Sequence, residues 1–194
     1  MSKILKTSLV IFLLLASKAL SAGGFHYEID AHTHFMTNDT GAVSGLEMTW
    51  IYDKQISDMI IEDEDLSEAK RADTLKTVAS LMIQDLDPMN YFTSLLINDQ
   101  PATFKGVNQQ QLQLVNQKQL KLTFLIPLEK PVNIKNITFD LALADPNGAG
   151  IIIYNDIQSL TMDKKLQTRC KPTLVDHKEF EHGQAAQLVK VSCQ

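Results

Sequence analysis

Residues 25–35 read FHYEIDAHTHF, placing three of the chain's five histidines and two carboxylates within eleven positions. Neutral imidazoles approach zinc at about 2.0–2.1 Å, and mixed nitrogen and oxygen donors without a thiolate suit Zn²⁺, Ni²⁺ or Cu²⁺. His32 and His34 stand two apart. Same-face residues of a strand lie about 6.7 Å from one another, so the two rings can tilt toward one ion. His26, Glu28 and Asp30 fall on the same face, yet one straight strand cannot wrap five donors around one centre. The other two histidines are His177 and His182, in VDHKEFEHG beside Asp176, Glu179 and Glu181. A shared metal site built from His26, Asp30, His32, His34, His177 and His182 therefore requires the first strand and the tail to be neighbours. The same spacing also describes a half-buried strand whose polar face simply meets water. Both readings stand at this point.

The elements that must position these residues are mostly strands. In 25–35 the odd positions Phe25, Tyr27, Ile29, Ala31, Thr33 and Phe35 alternate with polar neighbours, which predicts a strand with one buried face. TNDTGAVSG supplies a turn, and Leu46, Met48, Trp50 and Tyr52 then form the inward face of a second strand, completing a hairpin. Residues 54–86 change period. Ala69, Ala72, Leu75, Val78, Ala79 and Met82 recur at three- and four-residue spacing, predicting a short and a longer helix divided by Glu62–Asp65. Those acids lie before or within the first turn of the second helix, where they complement its dipole. Strands resume in YFTSLLI, QLQLV, LKLTFLIPL, ITFDLALAD and GIIIYN, with further strands expected at Leu166–Cys170 and Leu188–Cys193. The fold class is mainly β (α+β), an antiparallel sandwich or curved sheet with one helical insertion at about 54–86.

The opening MSKILKTSLVIFLLLASKALSAGG has a basic start, a short apolar run and a small-residue exit, the pattern of a secretory signal peptide over residues 1–22. A bilayer span needs about 20 apolar residues, so this segment is too short to anchor the mature protein, residues 23–194. Three of the 18 basic residues would leave with the signal while all 23 acids stay, moving the net charge from −5 to −8. An acidic surface argues against nucleic acid, whose phosphates need clustered lysine and arginine. In an oxidising compartment the two cysteines, Cys170 and Cys193, read as one disulfide. Catalytic signatures are missing: the chain contains no GxSxG, no HExxH and no phosphate-cradling glycine loop, and the expectation is that it is not an enzyme.

Several short motifs together resemble a family of exported proteins, a domain of unknown function described as the periplasmic component of an uncharacterised ABC-type transport system. GFHYEID corresponds to that family's His-Pro-His-aromatic-Ile-Asp start, keeping His26, Ile29 and Asp30. Trp50, Tyr52, Asp53 and Ser57 match a Trp-x-aromatic-Asp-x-x-x-Ser segment. Tyr91-Phe92, Asn98–Asp99, Asp145-Pro146 and the late cysteines also fit. The resemblance implies a periplasmic accessory protein of a zinc or nickel transport system, binding or presenting the ion to an inner-membrane metal permease. Zn²⁺ or Ni²⁺ would be cargo or a weakly held ligand. Many relatives carry a DxDxDG-type loop before the helix, but here the region reads IEDEDLSE, without the glycine and spaced oxygen ligands that calcium requires. The alternative function is a non-metal-binding interaction module that docks on a membrane transporter through its sheet edge or helical insertion.

Overall fold

The computed structural model describes residues 27–116 and 119–194. The expected signal peptide and His26 lie outside them. Among the described residues, eleven strands and three α-helices follow in order: β1 (Tyr27–Thr37), β2 (Val43–Tyr52), α1 (Lys54–Ile61), α2 (Arg71–Leu86), β3 (Thr93–Ile97), β4 (Gln100–Pro101), β5 (Gln110–Val115), β6 (Gln119–Val132), β7 (Ile137–Leu143), β8 (Gly150–Ile153), β9 (Leu160–Met162), α3 (Lys164–Gln167), β10 (Cys170–Asp176) and β11 (Gln187–Cys193). They form two sheets. The first runs β5-β6-β2-β1-β8 with β9 also on β1, and the second runs β10-β11-β7-β3-β4.

Alternation places the core. Ile29, Ala31, Thr33 and Phe35 of β1 are buried, as are Leu46, Met48, Trp50 and Tyr52 of β2 and Leu120 to Leu128 at even positions of β6. They face Ile137, Phe139, Leu141 and Leu143 of β7 and Val189, Val191 and Cys193 of β11. Phe35 meets Phe139 edge-on with ring centroids 6.0 Å apart, and Trp50 stacks on Phe92 at 5.9 Å. Such aromatic pairs join the two sheets into one core. The β1–β2 hairpin keeps the register Ile29↔Tyr52 to Phe35↔Leu46.

Both helices of the 54–86 insertion are present. Asp53 caps α1 by accepting from the Ile56 N–H, and α2 buries Leu75, Val78, Ala79, Ile83 and Leu86. The acidic run 62–65 precedes α2 rather than entering its first turn, and Ala69 falls just before the helix.

Three local expectations change. YFTSLLI begins as a strand only at Thr93, because Asn90, Tyr91 and Phe92 all have φ near +50°. That left-handed run turns both rings into the core, where Tyr91 and Phe92 are buried. Leu166 belongs to α3 and not to a strand. Asp163 is tied to β1, its carbonyl accepts from the Leu166 N–H, and this single turn buries the leucine before Cys170 opens β10. The sheets are also not wholly antiparallel, since β8 and β9 pair with β1 in parallel. The cause is the turn after β7, which carries the chain from one sheet to the other. Asp145 organises it, accepting from the Tyr27 hydroxyl and from the N–H groups of Asn147, Ala149 and Gly150.

Candidate functional site

Strand β1 lies between β2 on one side and β8 and β9 on the other, so its outer-face residues occupy the middle of an open sheet surface. Asp30, His32 and His34 project there in sequence. Their cross-strand partners on β2 are Ile51, Thr49 and Glu47, and Thr161 of β9 flanks His34.

The first pair is Asp30 and His32, with Oδ2 to Nε2 at 3.7 Å and side chains 28% and 43% exposed. The other carboxylate oxygen of Asp30, Oδ1, is buried with no hydrogen-bond partner among the described residues. A buried, unsatisfied carboxylate oxygen is costly and marks a place where an ion or water would be stabilising.

His34 behaves differently. Its Nε2 lies 3.0 Å from Asp163 Oδ1 and its Nδ1 2.8 Å from the Thr161 hydroxyl. A carboxylate only accepts, so Nε2 donates to Asp163, and in the neutral ring Nδ1 accepts from Thr161. Both ring nitrogens therefore have partners within the protein. Asp163 also accepts from the Thr37 N–H at 2.7 Å and the Thr37 hydroxyl at 2.9 Å. The Thr37 amide, followed by His34 and the Thr37 hydroxyl, holds the Asp163 carboxyl below the usual carboxylate range despite partial burial. This cluster staples β1 to the start of α3.

The tail histidines sit on other supports. His177 follows β10 of the second sheet, with Nδ1 2.9 Å from the Ala185 carbonyl. His182 packs against the Asp145–Gly148 turn, its Cβ 2.6 Å from where a side chain at Gly148 would begin. Among the described residues, no three or more His, Cys, Asp or Glu side chains are grouped so as to hold a metal ion. The structure thus pairs Asp30 with His32 and His34 with Asp163, while His177 and His182 join neither pair. Asp163 and Thr161 were not foreseen. They reach His34 across 129 and 127 positions, and nothing local in the sequence points from one to the other.

Cys170 and Cys193 form a disulfide across directly opposed residues of β10 and β11. No described helix is long and apolar enough to cross a membrane. No curated protein matches the chain. A family of proteins of unknown function, DUF1007, matches it over residues 8–191, most of its length, and the chain belongs to that family.

Proposed function

We propose that this protein is an exported accessory module of a membrane transport system, acting by docking its helical insertion on a partner rather than by enclosing an ion. The observation carrying this reading is that each helix of the insertion leaves a large apolar side chain in solvent, Met59 of α1 at 63% and Leu81 of α2 at 53% exposed. Large apolar side chains set among polar neighbours act as anchors at interfaces, and flexible methionine fits varied partner surfaces. An open recess of about 510 Å³ lies beside Met59, lined by Gln55, Asp58, Ile61 and Glu62. The family resemblance supports a permease as the partner. Export is supported by the signal-like opening and by the disulfide.

A second reading, weak binding of Zn²⁺ or Ni²⁺, draws on the unpartnered Asp30 Oδ1 next to His32. Two donors from one strand would hold an ion loosely, compatible with handing it on.

One experiment separates the two. A photo-crosslinking residue is placed at Met59 or Leu81 in cells, with exposed Glu129 as control, and the purified protein is titrated calorimetrically with Zn²⁺ after chelator stripping. Docking predicts a permease adduct from positions 59 and 81 only, with or without zinc heat. Adducts equal at all three positions, or none, would remove the docking reading. Zinc heat that disappears in His32→Ala would then establish the ion-handling one.

A further inference from the structure

Thiols and thioethers are the side chains that peroxides attack first. Both cysteines are committed to the Cys170–Cys193 disulfide, so no thiol competes for an oxidant. Methionine sulfur is what remains. The chain has seven methionines, of which Met1 lies outside the described residues. Of the other six, Met48 and Met162 are buried in the core, and the Met48 sulfur accepts from the Thr33 hydroxyl at 3.4 Å. Met82 and Met89 are partly buried and pack against that core, and the Met89 sulfur accepts from the Asn147 side-chain amide at 3.4 Å. Met36 of β1 is partly buried opposite Gly45 of β2. Met59, at 63% exposed, stands apart from all of them.

The way α1 is seated explains this exposure. Ile56 and Ile60 pack on the core, and Ser57 between them is fully buried. The Ser57 hydroxyl donates to the Asp53 carbonyl at 2.7 Å and accepts from the Leu120 N–H at 3.0 Å. With that side of the helix fixed inward, Asp58 and Met59 pass into solvent, as do Gln55 and Glu62 on the neighbouring turns. The Asp53 cap and the Ser57 bonds hold α1 without any atom of Met59. Chemistry at its sulfur therefore leaves the helix in place.

We infer that Met59 is the preferred site of sulfoxidation on this chain, and that its oxidation releases the docked partner. The release rests on the docking reading above, and the site does not. A peroxide transfers one oxygen to a lone pair of the sulfur. The O–O bond breaks, an S–O bond forms, the sulfur is oxidised by two electrons, and hydrogen peroxide is reduced to water.

The product is polar and chiral where the thioether was apolar and flexible. Pressed into an interface, the sulfoxide oxygen must find a donor or stay unsatisfied, and the apolar anchor is lost in either case. The same change at Met48 would disrupt the core instead. The exposure of Met59 thus directs oxidation to the contact surface and spares the fold. Disulfides such as Cys170–Cys193 persist in oxidising compartments, where exposed thioethers also meet such oxidants.

The test uses the whole mature chain with hydrogen peroxide as the probe. Peptide mass mapping after limited oxidation should show one added oxygen on Met59 about tenfold sooner than on Met48 or Met162, which react only as the fold opens. The singly oxidised protein should keep its urea midpoint. Purified protein with a photo-crosslinking residue at Leu81 is then added to isolated membranes, so that only this chain has met peroxide. Oxidised protein should give about tenfold less permease adduct than untreated protein, the loss of one anchor. Repair by purified methionine sulfoxide reductases should restore the adduct, the oxygen leaving as water while two thiols of dithiothreitol form a disulfide. In Met59→Leu, whatever its starting level, peroxide should not change the adduct. The inference is overturned if another methionine oxidises first, if the midpoint falls, if the adduct survives oxidation, or if repair fails to restore it. An equal fall in Met59→Leu overturns it too. No adduct from untreated protein overturns the docking reading and the release with it, and mass mapping then decides the oxidation site by itself.

Discussion

His34 and Asp163 stand 129 positions apart, yet their side chains meet at 3.0 Å and close a contact that also takes in Thr37 and Thr161. Residue types alone suggested that His34 and His32 act as a ligand pair. The hydrogen bonds add a structural role, in which both His34 nitrogens tie β1 to Thr161 and Asp163. The Asp163 side chain is 36% exposed, so solvent screens much of its electrostatic worth. Asp163→Asn should therefore lower stability near neutral pH by about 1 kcal/mol, through loss of charge-assisted bonds to the Thr37 amide and His34. The pH dependence has a definite sign. The folded carboxyl titrates below its unfolded value of about 3.9, so its contribution is full above that value and fades as pH falls through the folded one. Urea unfolding of both proteins should show a gap at neutral pH that closes in acid. A gap that widens on acidification would mean that Asp163 is not stabilised as a carboxylate.

Among the elements, β10 depends most on something other than apolar packing. It is the edge of the second sheet, and only its alternate residues Cys170, Pro172 and Leu174 are not fully exposed. Pro172 has no N–H to offer a further strand, a placement tolerated on edges and useful against unwanted pairing. The disulfide holds the strand at its first residue, opposite the last residue of β11. Replacing both cysteines with serine should cost about 3 kcal/mol, as expected from freeing a loop with a sequence separation of 23. The loss should appear as a lower urea midpoint with the native circular dichroism retained. An unchanged midpoint would show that pairing with β11 alone holds β10. The strands themselves were legible from sequence, because inward positions such as Ile29, Phe35, Leu46 and Trp50 follow a period of two that needs only near neighbours. Helices α1 and α2 were legible for the same reason. The residues Asn90–Phe92 and Leu166 were not, because their conformations are imposed by core contacts and by Asp163, and no local preference announces them.

At the scale of the molecule, the sequence suggested a sandwich but could not say which strand joins which sheet. Those assignments rest on pairings between distant segments, such as β1 with β8 and β9, and on the Asp145 turn that sends the chain across. For a related reason the sequence could not say whether the two groups of histidines meet: they lie on different elements, His32 and His34 on β1 and His177 and His182 after β10, and only global topology places one relative to the other. The sheets nonetheless depend on each other through one shared core, in which large aromatic side chains meet. Phe139 of the second sheet meets Phe35 of the first, and Trp50, the chain's single tryptophan, stacks on Phe92 at the entry to β3. Phe139 is 1% exposed, so Phe139→Ala leaves a cavity between the sheets and should cost about 3–5 kcal/mol, roughly 10 °C in melting temperature. If the sandwich is one cooperative unit, Trp50 fluorescence and far-ultraviolet circular dichroism must fall together by that amount, since neither sheet can keep its inner face buried once the other lets go. Separate transitions, with Trp50 retaining its native signal after most of the strand signal has gone, would show that the six-stranded sheet and its helices hold a core of their own.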